Sequence, residues 1–223
     1  MRNGHPLFVY IRMFQITDIK TAENHVKIIF DTGESFILSL EVFNMYPVRK
    51  GKNVDTVEYQ QLKEESERYL CNKKAVDYLS AADRSRLEIE NYLARKGFSK
   101  NIINEIMIKL NESGYINDYK FALNYIHYKK SRKAVGENLL RHELFKKGVS
   151  KNFINKALSE ISARSDDMES LYQLALKKIK SLSTKKNKES KLIFFLKQRG
   201  FHDKDIRTVI NNLKSDGQID GPV

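Results

Sequence analysis

Leu144-Phe145-Lys146-Lys147-Gly148-Val149-Ser150 is one of three similar runs, the others being Leu93-Ala94-Arg95-Lys96-Gly97-Phe98-Ser99 and Leu196-Lys197-Gln198-Arg199-Gly200-Phe201-His202. In each, a leucine is followed by three residues of which two are basic, then glycine, then an apolar residue that opens a new apolar stretch. The glycines lie 51 and then 52 residues apart. A period held that closely predicts one structural unit used three times.

Working outward from each glycine, apolar residues recur six, nine, ten and thirteen positions later: Ile103, Ile106, Met107, Leu110; Ile154, Ala157, Leu158, Ile161; and Ile206, Val209, Ile210, Leu213. That is the i, i+3, i+4, i+7 spacing of one helix face. Before the glycine, Ile89 and Leu93, Leu140 and Leu144, and Leu192 and Leu196 continue a stripe at i, i+4. Two helices joined at a glycine follow for every copy. Glycine just past a helix end takes the left-handed conformation that other residues resist, and the apolar residue after it packs back on the last turn. Ser99, Ser150, and His202 or Asp203 stand at the N-cap of the following helix. Lys96, Lys147 and Arg199 complement the negative helix end, a structural role at least as weighty as a binding one.

A further helix precedes each pair. It is expected over Asp118 to Arg132 in the second unit, with Phe121, Ala122, Tyr125 and Ile126 inward, and over Asp166 to Lys180 in the third, with Leu171, Leu174, Ala175 and Ile179 inward. In the first unit Tyr69, Leu70, Val76 and Leu79 mark it, and a helix from Thr56 to Glu67 runs into it. Gly114-Tyr115-Ile116-Asn117 links the first unit to the second, and Gly217-Gln218-Ile219-Asp220 repeats that link, so the array is expected to end at a unit boundary.

Only the beginning of the chain has period-two character. Val26, Ile28 and Phe30 alternate inward, Asp31-Thr32-Gly33 is a turn signal, and Phe36, Leu38 and Leu40 alternate again. With Ile16 to Lys20 as a third strand this makes a small antiparallel sheet, and Pro47 to Asp55 reads as a loop. The expected fold is mainly α: an elongated, curved tandem array of three three-helix repeats preceded by a small β segment. The expected divisions are 1–55, 56–113, 114–164 and 165–223.

A net charge of +12 is placed unevenly. Residues 1–58 carry seven basic and seven acidic side chains, and 59–113 carry ten and nine; 114–163 carry ten and four, and 164–223 carry thirteen and eight. The excess belongs to the second and third repeats, so a polyanion, or a protein bound to one, is the expected partner of that half. Its densest stretch is Lys129-Lys130-Ser131-Arg132-Lys133, continued by Arg141, Lys146 and Lys147; the third unit adds Lys177, Lys178, Lys180, Lys185, Lys186, Lys188 and Lys191. Such runs suit phosphate contacts. Tyr119, Tyr125 and Tyr128 interleave with them and could stack on bases, with core packing the favoured role for Tyr125.

Enzyme chemistry finds little support. Gly51-Lys52 lacks the upstream glycine of a phosphate loop. His142-Glu143 begins like a zinc-protease helix, but Lys146 occupies the second histidine's position, and one ligand cannot hold the metal. The five histidines are scattered, and no metal, cofactor or catalytic residue is expected. A lone cysteine, Cys71, fits a reducing cytosol, and no apolar run approaches the roughly 18 residues of a membrane span. The start does not read as a signal peptide, and Met13 is an alternative to Met1 as the native start.

The middle repeat, Gly114-Tyr115-Ile116-Asn117-Asp118-Tyr119-Lys120-Phe121-Ala122, then Gly136, Leu140 and the Leu144 to Val149 joint, resembles the RecX family of recombination regulators. The likeness covers Ala75 to Ile219. It implies a non-enzymatic protein that binds the RecA recombinase filament on single-stranded DNA and lowers its ATP hydrolysis and strand exchange; a monomer in the cytoplasm is expected. A direct DNA-binding module, touching single- or double-stranded DNA with weak sequence dependence, is the alternative.

Overall fold

The computed structural model describes residues 12–162, 167–182 and 187–219. Among them the chain forms four strands and ten helices, in two compact units. One takes the chain to Ala82 together with Glu90–Glu112; the other takes Asp83–Ile89 and the chain from Ser113 onward.

In the first unit, β1 (Phe14–Thr21), β2 (His25–Phe30), β3 (Ser35–Ser39) and β4 (Asn53–Val54) make an antiparallel sheet ordered β3-β2-β1-β4. The alternation places Val26, Ile28, Phe30, Phe36 and Leu38 in the core as expected. Against them lies α2 (Thr56–Ala81), whose Tyr59 stacks on Phe14 with ring centroids 3.8 Å apart and whose Leu62 is fully buried. Ser66 of α2 accepts a hydrogen bond from the Ile37 amide at 2.8 Å, tying helix to sheet edge.

Three expectations are corrected here. Leu40 does not extend the third strand: Ser39 accepts from the Val42 amide at 3.2 Å and starts a short helix, α1 (Leu40–Met45). The stretch from Pro47 to Asp55 is not wholly loop, because Val54 is buried as part of β4, paired to Phe14; two residues are too few to show a period. Val76 does not face inward. It is 40% exposed, and the buried stripe of α2 runs on from Leu62 through Ser66, Cys71 and Ala75, three small side chains. Burial pushes the Cys71 thiol up to about 11, so it stays protonated and inert.

The helix pairs follow the glycine frame. The pairs are α3 (Arg86–Arg95) with α4 (Lys100–Glu112), α6 (Glu137–Lys146) with α7 (Lys151–Ser162), and α9 (Lys188–Gln198) with α10 (Asp203–Ser215); α5 (Asp118–Arg132) and α8 (Asp167–Lys180) precede the latter two. All twelve stripe residues after the glycines, and the six before, are buried. Fully burying such side chains stabilises by about 1.5–3 kcal/mol each, so the periodicity that predicts the helices also identifies what holds them.

At each joint the glycine has φ between +81° and +89°. Its amide donates to the third residue back (Ala94, Phe145 or Lys197, 2.9–3.0 Å), and the next amide to the leucine carbonyl (3.1–3.4 Å). These two bonds satisfy the last carbonyls of a helix in a Schellman motif. Asn117 caps α5 by accepting from the Lys120 amide at 2.9 Å, and Ser150 caps α7 by accepting from Phe153 at 3.3 Å, whereas His202 caps α10 without a side-chain bond.

Candidate partner and nucleic-acid interface

Successive repeats meet at the glycines. Gly136, the N-cap of α6, donates its amide to the Arg199 carbonyl at 2.8 Å, and Asn138 donates to the Gly200 carbonyl at 3.0 Å. The backbones approach so closely that a Cβ on Gly136 would overlap the Gly200 peptide, and one on Gly200 would come within 2.8 Å of the Leu139 Cα. The start of α3 makes a related contact with the earlier joint of the second unit. Ser85 donates its hydroxyl to the Lys147 carbonyl at 2.6 Å, and Leu87 lies where a Cβ on Gly148 would be 2.5 Å from its own Cβ. Glu88 accepts from Lys147 Nζ at 2.5 Å and from the Ser85 amide at 3.0 Å.

This contact settles the position of Lys147. Its ammonium also lies 5.8 Å from the Phe121 ring centroid and 5.4 Å from that of Tyr125, an arrangement attractive to a cation. Burial raises the Glu88 carboxyl, but the hydrogen bonds from Lys147 and the Ser85 amide outweigh it and leave the group below its ordinary value.

A second network adjoins it at Tyr125, whose ring centroid lies 5.1 Å from the Lys129 ammonium. Lys129, from the last turn of α5, bonds Glu143 of α6 at 3.0 Å, and Tyr125 donates its hydroxyl to the same carboxylate at 2.8 Å. Burial opposes charge on both partners. Even so, their mutual hydrogen bonds hold Glu143 lower and Lys129 higher than usual. Tyr125 is half-buried against the repeat core, as favoured. Arg141 bonds Glu137 and Asn155.

The thirteen candidate cations thus separate. Lys129, Arg141 and Lys147 are engaged in half-buried ion pairs. Arg132 and Lys133 at the end of α5, Lys146 at the end of α6, Lys177 on α8 and Lys191 on α9 are exposed, whereas Lys130, Lys178 and Lys188 are half-exposed. Lys178 sits over the Phe195 ring at 5.0 Å. Lys185 and Lys186 lie outside the described residues. Of the tyrosines, Tyr119 bonds Glu160, whereas Tyr128 is 53% exposed with the Arg132 guanidinium 5.0 Å over its ring. A stacked Arg–Tyr pair at a helix end, flanked by Lys133, can meet a base and a phosphate together.

Ser85, Glu88 and Gly136 escaped the sequence reading as contact residues. A signal existed: Ser85 and Gly136 each stand twelve positions before their glycine, and Ser85-x-x-Glu88 is a capping box.

The repeat geometry defines a helical-repeat protein. Residues 71–110 match the first three-helix domain of RecX, and residues 117–158 match the second. Over 179 residues the chain is 33% identical to the regulatory protein RecX of Bacillus licheniformis, covering 79% of this chain and 68% of that one. To the same protein of Bacillus subtilis it is 29% identical over 210 residues, 92% of this chain and 79% of the other. A crystal structure of a regulatory protein RecX superposes with a TM-score of 0.70 over 89% of this chain and 99% of its own, at 20% identity, a likeness of fold. RecX from Lactobacillus salivarius gives 0.59 over 67% of this chain and 97% of its own, at 28% identity. The chain belongs to the RecX family. Among the described residues no helix is long and apolar enough to cross a membrane.

Proposed function

We propose that this chain is a non-enzymatic regulator that binds a RecA-type recombinase filament on single-stranded DNA and lowers its ATPase and strand exchange, acting in the cytoplasm as a monomer. Family membership supports the reading, since relatives carry the name regulatory protein RecX. The observation that carries it is the sorting of cations. Internal carboxylates neutralise Lys129, Arg141 and Lys147, while Arg132, Lys133, Lys146 and Lys177 face outward and can meet the anionic groove of a nucleoprotein filament.

The test is RecA ATP hydrolysis on single-stranded DNA with the regulator added below stoichiometry. A fall in rate is expected, weakened by replacing Arg132, Lys133, Lys146 and Lys177 with Ala; no effect at several-fold excess over the recombinase overturns the reading. Direct DNA binding is the second reading, favoured by the exposed Tyr128–Arg132 stack. It requires tight binding to naked DNA, with a salt slope shrinking by about one for each phosphate-contacting cation removed.

A further inference from the structure

The second and third repeats each have a groove between the two helices that meet at the glycine. One, of about 390 Å³, is lined by Asn138, Arg141, His142, Phe145, Lys151 and Ile154. The other, of about 370 Å³, includes Ile193, Lys197, Asp203 and Ile206. Counted from Gly148 and Gly200, four wall positions coincide: Arg141 with Ile193, Phe145 with Lys197, Lys151 with Asp203, and Ile154 with Ile206.

The third-repeat groove is balanced in charge: Glu189 and Asp203 line it together with Lys197 and Arg207. Lys197 pairs with Asp203 at 2.9 Å, and Glu189 with Lys214 at 2.9 Å. In the second repeat that internal pair is replaced by an aromatic ring and an ammonium. Phe145 is 70% exposed and lines the groove, so its apolar ring is open to a bound side chain. Lys151, and Lys146 beside the ring, form no ion pair among the described residues. Glu137 and Asn155 hold the Arg141 guanidinium in the wall, and buried Ile154 makes the floor. No carboxylate lines this groove.

From this we infer that the α6–α7 groove receives an acidic peptide segment of a partner protein, an apolar side chain of which packs on Phe145 while its carboxylates meet Lys151 and Lys146. Charge complementarity selects the occupant: what the second groove lacks is the carboxylate that the third supplies for itself. The concavity suits one side chain over an apolar floor. A nucleic acid strand needs a row of cations on an open face, which the end of α5 offers instead. The inference shares Lys146 with the recombinase reading but is tested apart from it, because Phe145 and Lys151 take no part in that reading.

Fluorescence anisotropy of the full chain with a labelled peptide of aspartates and glutamates around one phenylalanine tests it. Binding is expected, and Phe145→Ala, Lys151→Glu or replacement of the peptide's phenylalanine by alanine each weakens it about tenfold or more, as loss of a buried aromatic anchor or its charge partner does. Phe194→Ala, 64% exposed on α9 and outside both grooves, leaves it unchanged. In the unsubstituted protein, NMR shift changes centre on Asn138, His142 and Ile154. No binding, equal binding by all variants, or shifts centred elsewhere overturns the inference. So does displacement by a thymidine oligonucleotide whose own binding Phe145→Ala weakens, which gives the groove to nucleic acid.

Discussion

The contact of Ser85 with Lys147 and that of Gly136 with Arg199 occupy equivalent places in the repeat and are built differently. At the first, side chains do the joining: the Ser85 hydroxyl, the Leu87 isobutyl group and the Glu88–Lys147 pair. At the second, two main chains touch, with amides of Gly136 and Asn138 bonded directly to carbonyls of Arg199 and Gly200, and His202 adds side-chain contacts to Asn138 at 3.3 Å and Glu137 at 3.6 Å. A side-chain joint can yield by changing rotamers. A backbone joint cannot, because no atom in it moves without moving a helix. Gly97 supplies the reference, since a Cβ there meets nothing within 4 Å.

Breaking the backbone joint should have the largest effect. Gly200→Ala combines a left-handed φ with overlap onto Leu139 main-chain atoms and is expected to cost about 3 kcal/mol or more. Gly136→Ala, where φ is −81° and only overlap operates, should cost nearly as much; a urea midpoint within error of wild type for either variant breaks the comparison. Gly148→Ala meets a side chain instead and should cost about 2 kcal/mol, part of it recovered by Leu87→Ala in the same chain. Glu88→Gln leaves Lys147 half-buried without its counter-charge and should cost about 1–2 kcal/mol. Gly97→Ala isolates the backbone term at about 1 kcal/mol. If Gly97→Ala and Gly200→Ala cost the same, the packing argument fails and only φ matters.

Acid sharpens the contrast further. Glu88 and Glu143 have carboxyl pKa values below the unfolded value of about 4.3. A depressed folded value means that their contribution is complete above that pH and is lost as pH falls through the folded value. Stability should therefore drop below about pH 4, less steeply in Glu88→Gln than in wild type. The main-chain bonds of Gly136 and Asn138 contain no group that titrates in this range.

The helices and their burial were legible because they depend on near neighbours: a stripe at 3.6 spacing, a glycine past the last turn, a capping side chain three residues ahead. Leu40 and Val54 were misread for a local reason too, since Ser39 capping and a two-residue strand leave no periodic trace. The candidate interface was legible only as a supply of charge. Lys129 and Arg132 stand three residues apart in one basic run; one is bonded to Glu143 and the other lies over an exposed ring. Phe145 stands in the quoted joint with no role read for it, because side-chain exposure leaves no mark in the sequence.

The sequence by itself determined the repeat, its period, its helix pairs and the half of the chain that carries the positive excess. The tertiary structure decided which cations are paired within the fold, which glycines are also contacts, and which of two equivalent grooves has no carboxylate in its lining. The physical reason is range. Backbone conformation and amphipathic burial act within a few residues, whereas Lys147 finds Glu88 across 59 positions and Gly136 finds Arg199 only when two repeats have folded and stacked.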